Sequence, residues 1–572
     1  MQVPTKPVAR GPTVHAIHPN RRLCGTRGPF QAFLPGRVVR GRTAGVLSEA
    51  AMQIEDQTET TAFLAGCLPG VRVIETHISV LFLGADTVFK LKKAVRLPYV
   101  DLSTVDRRLA CCRRELELNR RTAPALYRSV RRITRDAAGR LALDGEGKTV
   151  DAVVEMARFD DAGLADRLAE EGRLSPPLVE AMAAVVAAFH AEAEPVAGGG
   201  APGGAARIAA VLDINRRALE PARGLFGDGP VGELVAASAR LLDRHADLAD
   251  LRQRQGWVRR CHGDLHLRNI VFIDGAPVLF DCLEFDEDMA TTDVLYDVAF
   301  LVMDLIHRGL SAEANVVFNR YLDLARADDG LPLMPLFLAM RATVRGHIGA
   351  TVAAEAPGGE AERMRADAAA YLDLAAAFLV ERPAVLVAIG GLSGSGKSTV
   401  ARGLAPHVGP APGARELSSD RTRKRLFGVS AVTKLPPEAY RSGVSRTVYS
   451  RLLKEAAAVA GTGHSVVVNA VFDRAEDRDA VETAAQAAGV PFLGLWLDAP
   501  EAVLIERVEH RSGDPSDADA TVVRAQATHA TGEIKWTRID ASMDAASVVA
   551  AARQACAARF GDPPAVAARF TA

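Results

Sequence analysis

The chain has 572 residues, 48% hydrophobic and 24% charged, enough at roughly 100–200 residues per domain for about two to four separate cores. A formal net charge of −1 and a pI near 6.9 exclude a global field that would draw the protein to nucleic acid or to an anionic membrane. Seven scattered cysteines, with Cys111 and Cys112 adjacent, make neither a metal pattern nor a disulfide framework, and no apolar run approaches the roughly 20 residues of a membrane span, so a soluble cytoplasmic protein without a membrane partner is expected.

Residues 1–51 read as a disordered basic tail or an overcalled start: seven arginines and no acid precede Glu49, and Met52 offers an alternative beginning. From Glu75 the pattern becomes globular. Thr76–Leu83 and Thr87–Lys92 are β-rich runs on either side of the turn Gly84-Ala85-Asp86, which predicts a hairpin. Ser103 to Asp106 has capping-box form, and Val105, Leu109, Cys112 and Leu116 fall at helical spacing, predicting a helix to about Arg121. Strands are expected near 140–143 and 150–156, followed by Ala-rich helical sequence broken by the Gly/Pro-rich stretch 195–204.

Between Trp257 and Asp281 lies a compact unit. A polar loop, Cys261 to Asn269, precedes two apolar runs joined by Asp274-Gly275, a strong hairpin signal. Within the loop, His262, Asp264 and Asn269 have the spacing H-x-D-x-x-x-x-N, and Asp281 follows the hairpin. Phosphoryl transfer needs one Asp at the acceptor hydroxyl, and an Asn and a second Asp on the metal ions bridging the phosphates. Asp264 is thereby the candidate base, with Asn269 and Asp281 as candidate Mg²⁺ ligands. Asp293 and Asp297 read as structural braces. Glu284 stays undecided, and His266 and Arg268 are either substrate contacts or solvated loop positions.

These motifs, His262-Gly-Asp-Leu-His to Asn269 and then Phe280-Asp281, resemble those of the aminoglycoside phosphotransferase-like members of the protein-kinase-like superfamily, over about 75–380. The resemblance implies a two-lobed α+β kinase-like fold. It also implies that Lys90 is the lysine on the ATP α/β-phosphates and Glu115 its helix partner, with Lys92 and Glu117 as rivals. Glu155 and Met156 would hinge the lobes and meet adenine, and the substrate pocket would form from helical segments near 160–250 and 300–375. No G-x-G-x-x-G loop precedes Lys90, so Glu75 to Ser79 and Gly84 would cover the phosphates instead.

After a boundary at Pro383 the order changes to strand, Gly-rich loop and helix, with further strands at 465–468 and 492–497, as in a parallel α/β domain. Gly391 to Ser398 has the form G-x-x-x-x-G-K-S. Gly391, Gly394 and Gly396 let backbone N–H groups turn inward on phosphate, Lys397 reaches the β/γ-phosphates, Ser398 binds Mg²⁺, and Ser395 and Thr399 complete the cradle. Asp420, after the second strand, is either a base for an acceptor hydroxyl or a helix N-cap. Arg507 and Arg511 would suit a lid that neutralises the transferring group.

This half resembles P-loop kinases of the gluconate-kinase or polynucleotide 5′-hydroxyl-kinase type, with one departure: Asn469 ends a strand where such domains carry Asp. The whole arrangement resembles the bacterial bifunctional aminoglycoside phosphotransferase/ATP-binding proteins. The expectation is a tail (1–51), a kinase-like domain (52–380) and an α/β P-loop domain with a parallel sheet (383–572). Two ATP·Mg²⁺ sites are expected, the first phosphorylating a hydroxyl of a small molecule. The alternative is an ATP sensor without productive transfer; a nucleic-acid acceptor is disfavoured because no broad basic face is evident.

Overall fold

The computed structural model describes residues 52–570, apart from 54, 77, 98–99, 197–201, 511–515, 530 and 562–569. The basic tail and Arg511 lie outside the described residues.

The first half opens with a six-stranded antiparallel sheet. Its strands are β1 (Arg72–Glu75), β2 (Ser79–Leu83), β3 (Thr87–Lys92), β4 (Tyr127–Arg135), β5 (Leu141–Leu143) and β6 (Lys148–Ala157), in spatial order β1-β2-β3-β6-β4-β5. The expected hairpin is β2–β3, with Leu83 opposite Val88 and Leu81 opposite Lys90. Strand β4 has no counterpart among the sequence expectations. Its arginines at 128, 131, 132 and 135 mask the alternation by which Tyr127 and Ile133 enter the core. Helix α1 (Val105–Asn119) starts at Thr104, whose side chain accepts the Arg107 N–H, and ends two residues earlier than expected. It turns Cys112, Glu115 and Leu118 inward.

The second lobe is helical: α2 (Pro176–Glu192), α3 (Val294–His307), α4 (Ser311–Ala325), α5 (Met334–Glu355) and α6 (Gly358–Phe378). Helix α3 is buried continuously from Val294 to Leu305, so its sequence is apolar on every side except at Asp297 and Asp304, both of which bond loop backbone. The expected hairpin after the polar loop is present as Ile270–Ile273 paired with Ala276–Leu279. Asp274 and Gly275 both have positive φ, as a two-residue hairpin turn requires.

The second half is a five-stranded parallel sheet. In chain order its elements are β7 (Leu386–Gly390), α7 (Lys397–Leu404), β8 (Arg415–Ser418), α8 (Ser419–Leu426), α9 (Ser442–Gly461), β9 (Val466–Asn469), α10 (Ala475–Ala487), β10 (Phe492–Asp498), α11 (Glu501–Glu509), α12 (Ala520–Ala527), β11 (Thr537–Asp540) and α13 (Ala545–Phe560). The spatial order is β8-β9-β7-β10-β11. Helices α7 and α13 cover one face, packing Val400, Leu404 and Val548 on Val387, Ile389 and Leu495. The opposite face, with Leu386, Ala388, Val466 and Val468, shares one continuous apolar core with the helical lobe.

That shared core is framed by polar contacts. Strand β8 is an edge, and backbone groups on it and in the segment just before it are met by amides of α4. Asn315 donates to the Pro412 and Ala414 carbonyls at 3.0 and 3.2 Å, and Asn319 donates to Ala414 O and accepts the Glu416 N–H at 2.7 Å. Buried Arg415 pairs with Asp323 and Asp328 at 2.8 and 2.7 Å. Among the described residues no helix is long and apolar enough to cross a membrane.

Candidate active site

The polar loop Cys261 to Asn269 is held from behind. Asp297 of α3 accepts the N–H groups of His262 and Gly263 at 3.1 and 2.9 Å, Asp304 accepts the Leu267 N–H at 3.0 Å, and Arg341 donates to the Gly263 carbonyl at 3.0 Å. His190 bonds Asp297 and Tyr321 through its two ring nitrogens. Together with Cys261 it forms a buried group of metal-ligand type, but one whose atoms are engaged in this bracing. Asp293, the other expected brace, accepts two N–H bonds from buried Arg252.

With the loop so fixed, Asp264 and Asn269 face one another. Asn269 Nδ2 donates to Asp264 O and to Asp264 Oδ2, both at 2.9 Å, which commits the donor end of the amide and leaves Oδ1 as its acceptor end. His266 lies 3.3 Å from Asp264 Oδ2. Burial would raise the Asp264 carboxyl, but the charge and hydrogen bond of His266, with His262 and Arg345, hold it below the usual carboxylate range.

Asp281 stands at the end of the hairpin with φ 62°, a left-handed conformation uncommon for a residue with a side chain. Its N–H is received by the Tyr127 hydroxyl, and the next N–H, of Cys282, by Asn119 Oδ1. Lys90 Nζ reaches Asp281 Oδ1 at 2.5 Å and Glu115 Oε1 at 2.8 Å. Of the rival residues, Glu117 is 69% exposed and pairs with Arg114. Lys92, by contrast, is fully buried and shares Glu115 at 2.6 Å while pairing with Glu284 at 2.5 Å. Burial alone would raise Glu115, yet the two lysines hold it down to about 2. Burial pushes the Glu284 carboxyl up against the pull of Lys92. Two ammonium groups among three carboxylates leave an excess of negative charge. Asp281, 39% exposed, is the most accessible of these groups. With the Asn269 amide oxygen, this donor set fits a hard divalent cation. Met156 is buried on β6 opposite Val88, and its neighbour Glu155 is bonded by Ser129 and Arg131.

In the second half the Gly-rich loop joins β7 to α7. Gly391 and Gly394 have φ 142° and 84°, and a Cβ would come within 2.6 Å of Leu497 O and 2.4 Å of Leu504 O, so the loop follows this path only with glycine. Lys397 Nζ donates to Leu392 O at 2.8 Å, inside the loop. The Ser395 hydroxyl is buried without a hydrogen-bond partner, and Ser398 and Thr399 occupy the first turn of α7, where the N–H groups of a helix start favour an anion. An orphaned hydroxyl within a glycine-lined loop fits a phosphate. Gln526, which no sequence motif singled out, accepts the Ser393 N–H at 2.8 Å and ties the loop to α12.

Asp420 falls in the first turn of α8, where Ser418 holds the N-cap position. Arg507 is committed elsewhere than expected, donating to Ala541 O and Met543 O at 2.7 and 3.1 Å beyond β11. Asn469 ends β9 as expected, and its Nδ2 donates to Glu416 Oε1 at 3.1 Å.

Residues 12–337 match the family model described as the phosphotransferase enzyme family, and residues 386–532 match that of an AAA domain. The first match spans more than half of the 572 residues, and the chain belongs to the phosphotransferase enzyme family. It is a kinase-type enzyme, a phosphotransferase domain followed by a P-loop kinase-like domain. An uncharacterized protein of Mycobacterium tuberculosis is 29% identical over 482 residues, 82% of this chain and 92% of its own. Similar solved structures include a choline/ethanolamine kinase family protein from Mesorhizobium loti, 15% identical over 57% of this chain and 95% of that one with a TM-score of 0.35. A gluconokinase from Sinorhizobium meliloti is 23% identical over 32% of this chain and 95% of that one, with a TM-score of 0.22.

Proposed function

We propose that the protein has two ATP·Mg²⁺ sites and that the first, within a domain of residues 52–380, transfers the γ-phosphate of ATP to a hydroxyl of a small polar molecule. The observation that carries this reading is that Asn269, bonded to Asp264, also accepts the N–H of Phe280, the neighbour of Asp281, and that Lys90 joins Asp281 to Glu115. Asp264, kept ionised, orients the acceptor hydroxyl and takes its proton as the new O–P bond forms and the bond to the β-phosphate breaks, releasing ADP. Lys90, fixed by Glu115, holds the α/β-phosphates, and Met156 lies at the adenine end. Asn269 and Asp281 hold Mg²⁺, which when bound neutralises charge on the phosphates. Catalysis is positioning and charge neutralisation.

The second site, within 383–572, uses Gly391, Gly394, Ser395, Gly396, Lys397, Ser398 and Thr399 as its phosphate cradle and Asp420 as its candidate base. Asn469 favours a second reading of that half, in which the nucleotide is bound as a signal without transfer.

The test incubates the full chain with γ-labelled ATP and a metabolite extract. Asp264→Ala is expected to remove a labelled product by about 10²–10⁴-fold in rate, while Lys397→Ala leaves that product in place. Equal labelling by wild type and Asp264→Ala sinks the catalytic assignment, and ATP binding without any labelled product supports the sensor.

A further inference from the structure

The departure at Asn469 is answered by a residue that no motif includes. Asn469 is 3% exposed and stands in register between Ile389 of β7 and Ser418 of β8. Glu416 lies two residues before Ser418 and therefore on the same face of the sheet. Its register partner Val467 packs with Val400 and Leu404 of α7, the helix that begins at Lys397 and Ser398. Glu416 thus belongs to the P-loop face. It lies at a small cavity of about 20 Å³, room for a water, where Arg402 and Arg421 also meet.

An amide has a donor end and an acceptor end, and a hydrated Mg²⁺ has use only for the oxygen. A carboxylate beside Asn469 selects between the two. It takes Nδ2 on the β8 side, at 3.1 Å, and so leaves Oδ1 as the end of the amide that can serve a cation. A carboxylate at 469 itself would face Glu416 at hydrogen-bond distance, and two buried like charges at that separation do not both ionise.

Resting on the reading of Gly391 to Ser398 as a nucleotide site, we propose that Glu416 and Asn469 act as a pair in place of the single strand-end carboxylate. Asn469 supplies the oxygen facing the hydrated Mg²⁺ of the bound nucleotide, and Glu416 is a positioning residue that orients the amide and supplies the charge one step behind it.

The experiment measures ADP binding to the full chain by calorimetry in excess Mg²⁺ and in EDTA, following the component that Lys397→Ala removes. Glu416→Gln, which keeps the shape but can pair with Asn469 in either sense, is expected to reduce the Mg²⁺-dependent gain in affinity by about tenfold or more. Affinity in EDTA should be unchanged, which also shows that the variant is folded. The exchange Glu416→Gln with Asn469→Asp, which moves the charge forward by one residue, is expected to restore the gain. A Mg²⁺-dependent gain in Glu416→Gln equal to wild type, or a loss that the exchange does not restore, overturns the proposal. Failure of Lys397→Ala to remove any component overturns the nucleotide-site reading as well.

Discussion

Glu115 is the shared acceptor of two buried ammonium groups, Lys90 at 2.8 Å and Lys92 at 2.6 Å. Sequence spacing could not choose between the two lysines, because residues two apart on a strand share a face and both reach the same helix. The choice between Glu115 and Glu117 was equally open in the sequence. It closes in the fold because two residues further along a helix point about 200° away, toward solvent. Removing one partner of a buried pair leaves the other charge uncompensated. Glu115→Ala should therefore lower unfolding stability by about 3–5 kcal/mol, measured by denaturant titration. Glu117→Ala, at an exposed pair with Arg114, should change it by less than about 1 kcal/mol. Tyr127 and Asn119, which receive the N–H groups of Asp281 and Cys282, carried no sequence signal, since their partners lie more than 150 residues away.

At the scale of elements, the joint between α4 and the edge strand β8 contains a titratable group. His464, just before β9, is 4% exposed, bonds Gly413 O at 3.1 Å and has its ring 5.6 Å from that of Phe318 on α4. Burial, opposed by its bond to Gly413 O, holds its pKa down to about 4. The ordinary value is about 6.5, so between those pH values the unfolded chain binds a proton that the folded chain refuses, and stability falls as pH falls. From pH 6.5 to 5 this amounts to about 2 kcal/mol, and half-buried His347, also lowered to about 4, adds in the same direction. Urea midpoints at pH 7 and 5 should show the decline, and His464→Gln should flatten it by about half. The hairpin at 270–279 and the P-loop between strand and helix were legible because turn residues and glycines carry local constraints. Strand β4 was not, because long-range pairing with β6 fixes it and its exposed face is arginine.

For the whole molecule, Asp323 of α4 receives three arginines of the second half: Arg415 at 2.8 Å, Arg421 at 3.2 Å and Arg425 at 3.4 Å. Arg421 follows Asp420 directly, and α4 packs on α3, whose Asp297 and Asp304 hold the loop of Asp264. Asp323→Ala would remove the one carboxylate these three arginines share, at a joint continuous with the main core. A single calorimetric transition in the wild type should then separate into two, and one unchanged transition would count against a shared cooperative unit. The sequence by itself determined both fold classes, the phosphate-binding loop and the spacing of Asp264, Asn269 and Asp281, because these depend on backbone conformations and short intervals that local residue types impose. Only the tertiary structure decided that Lys92 joins Lys90 on Glu115, that Glu416 meets Asn469, and that amides of α4 satisfy the edge of β8. Those contacts join residues distant in the chain, and packing rather than local propensity sets which of them meet.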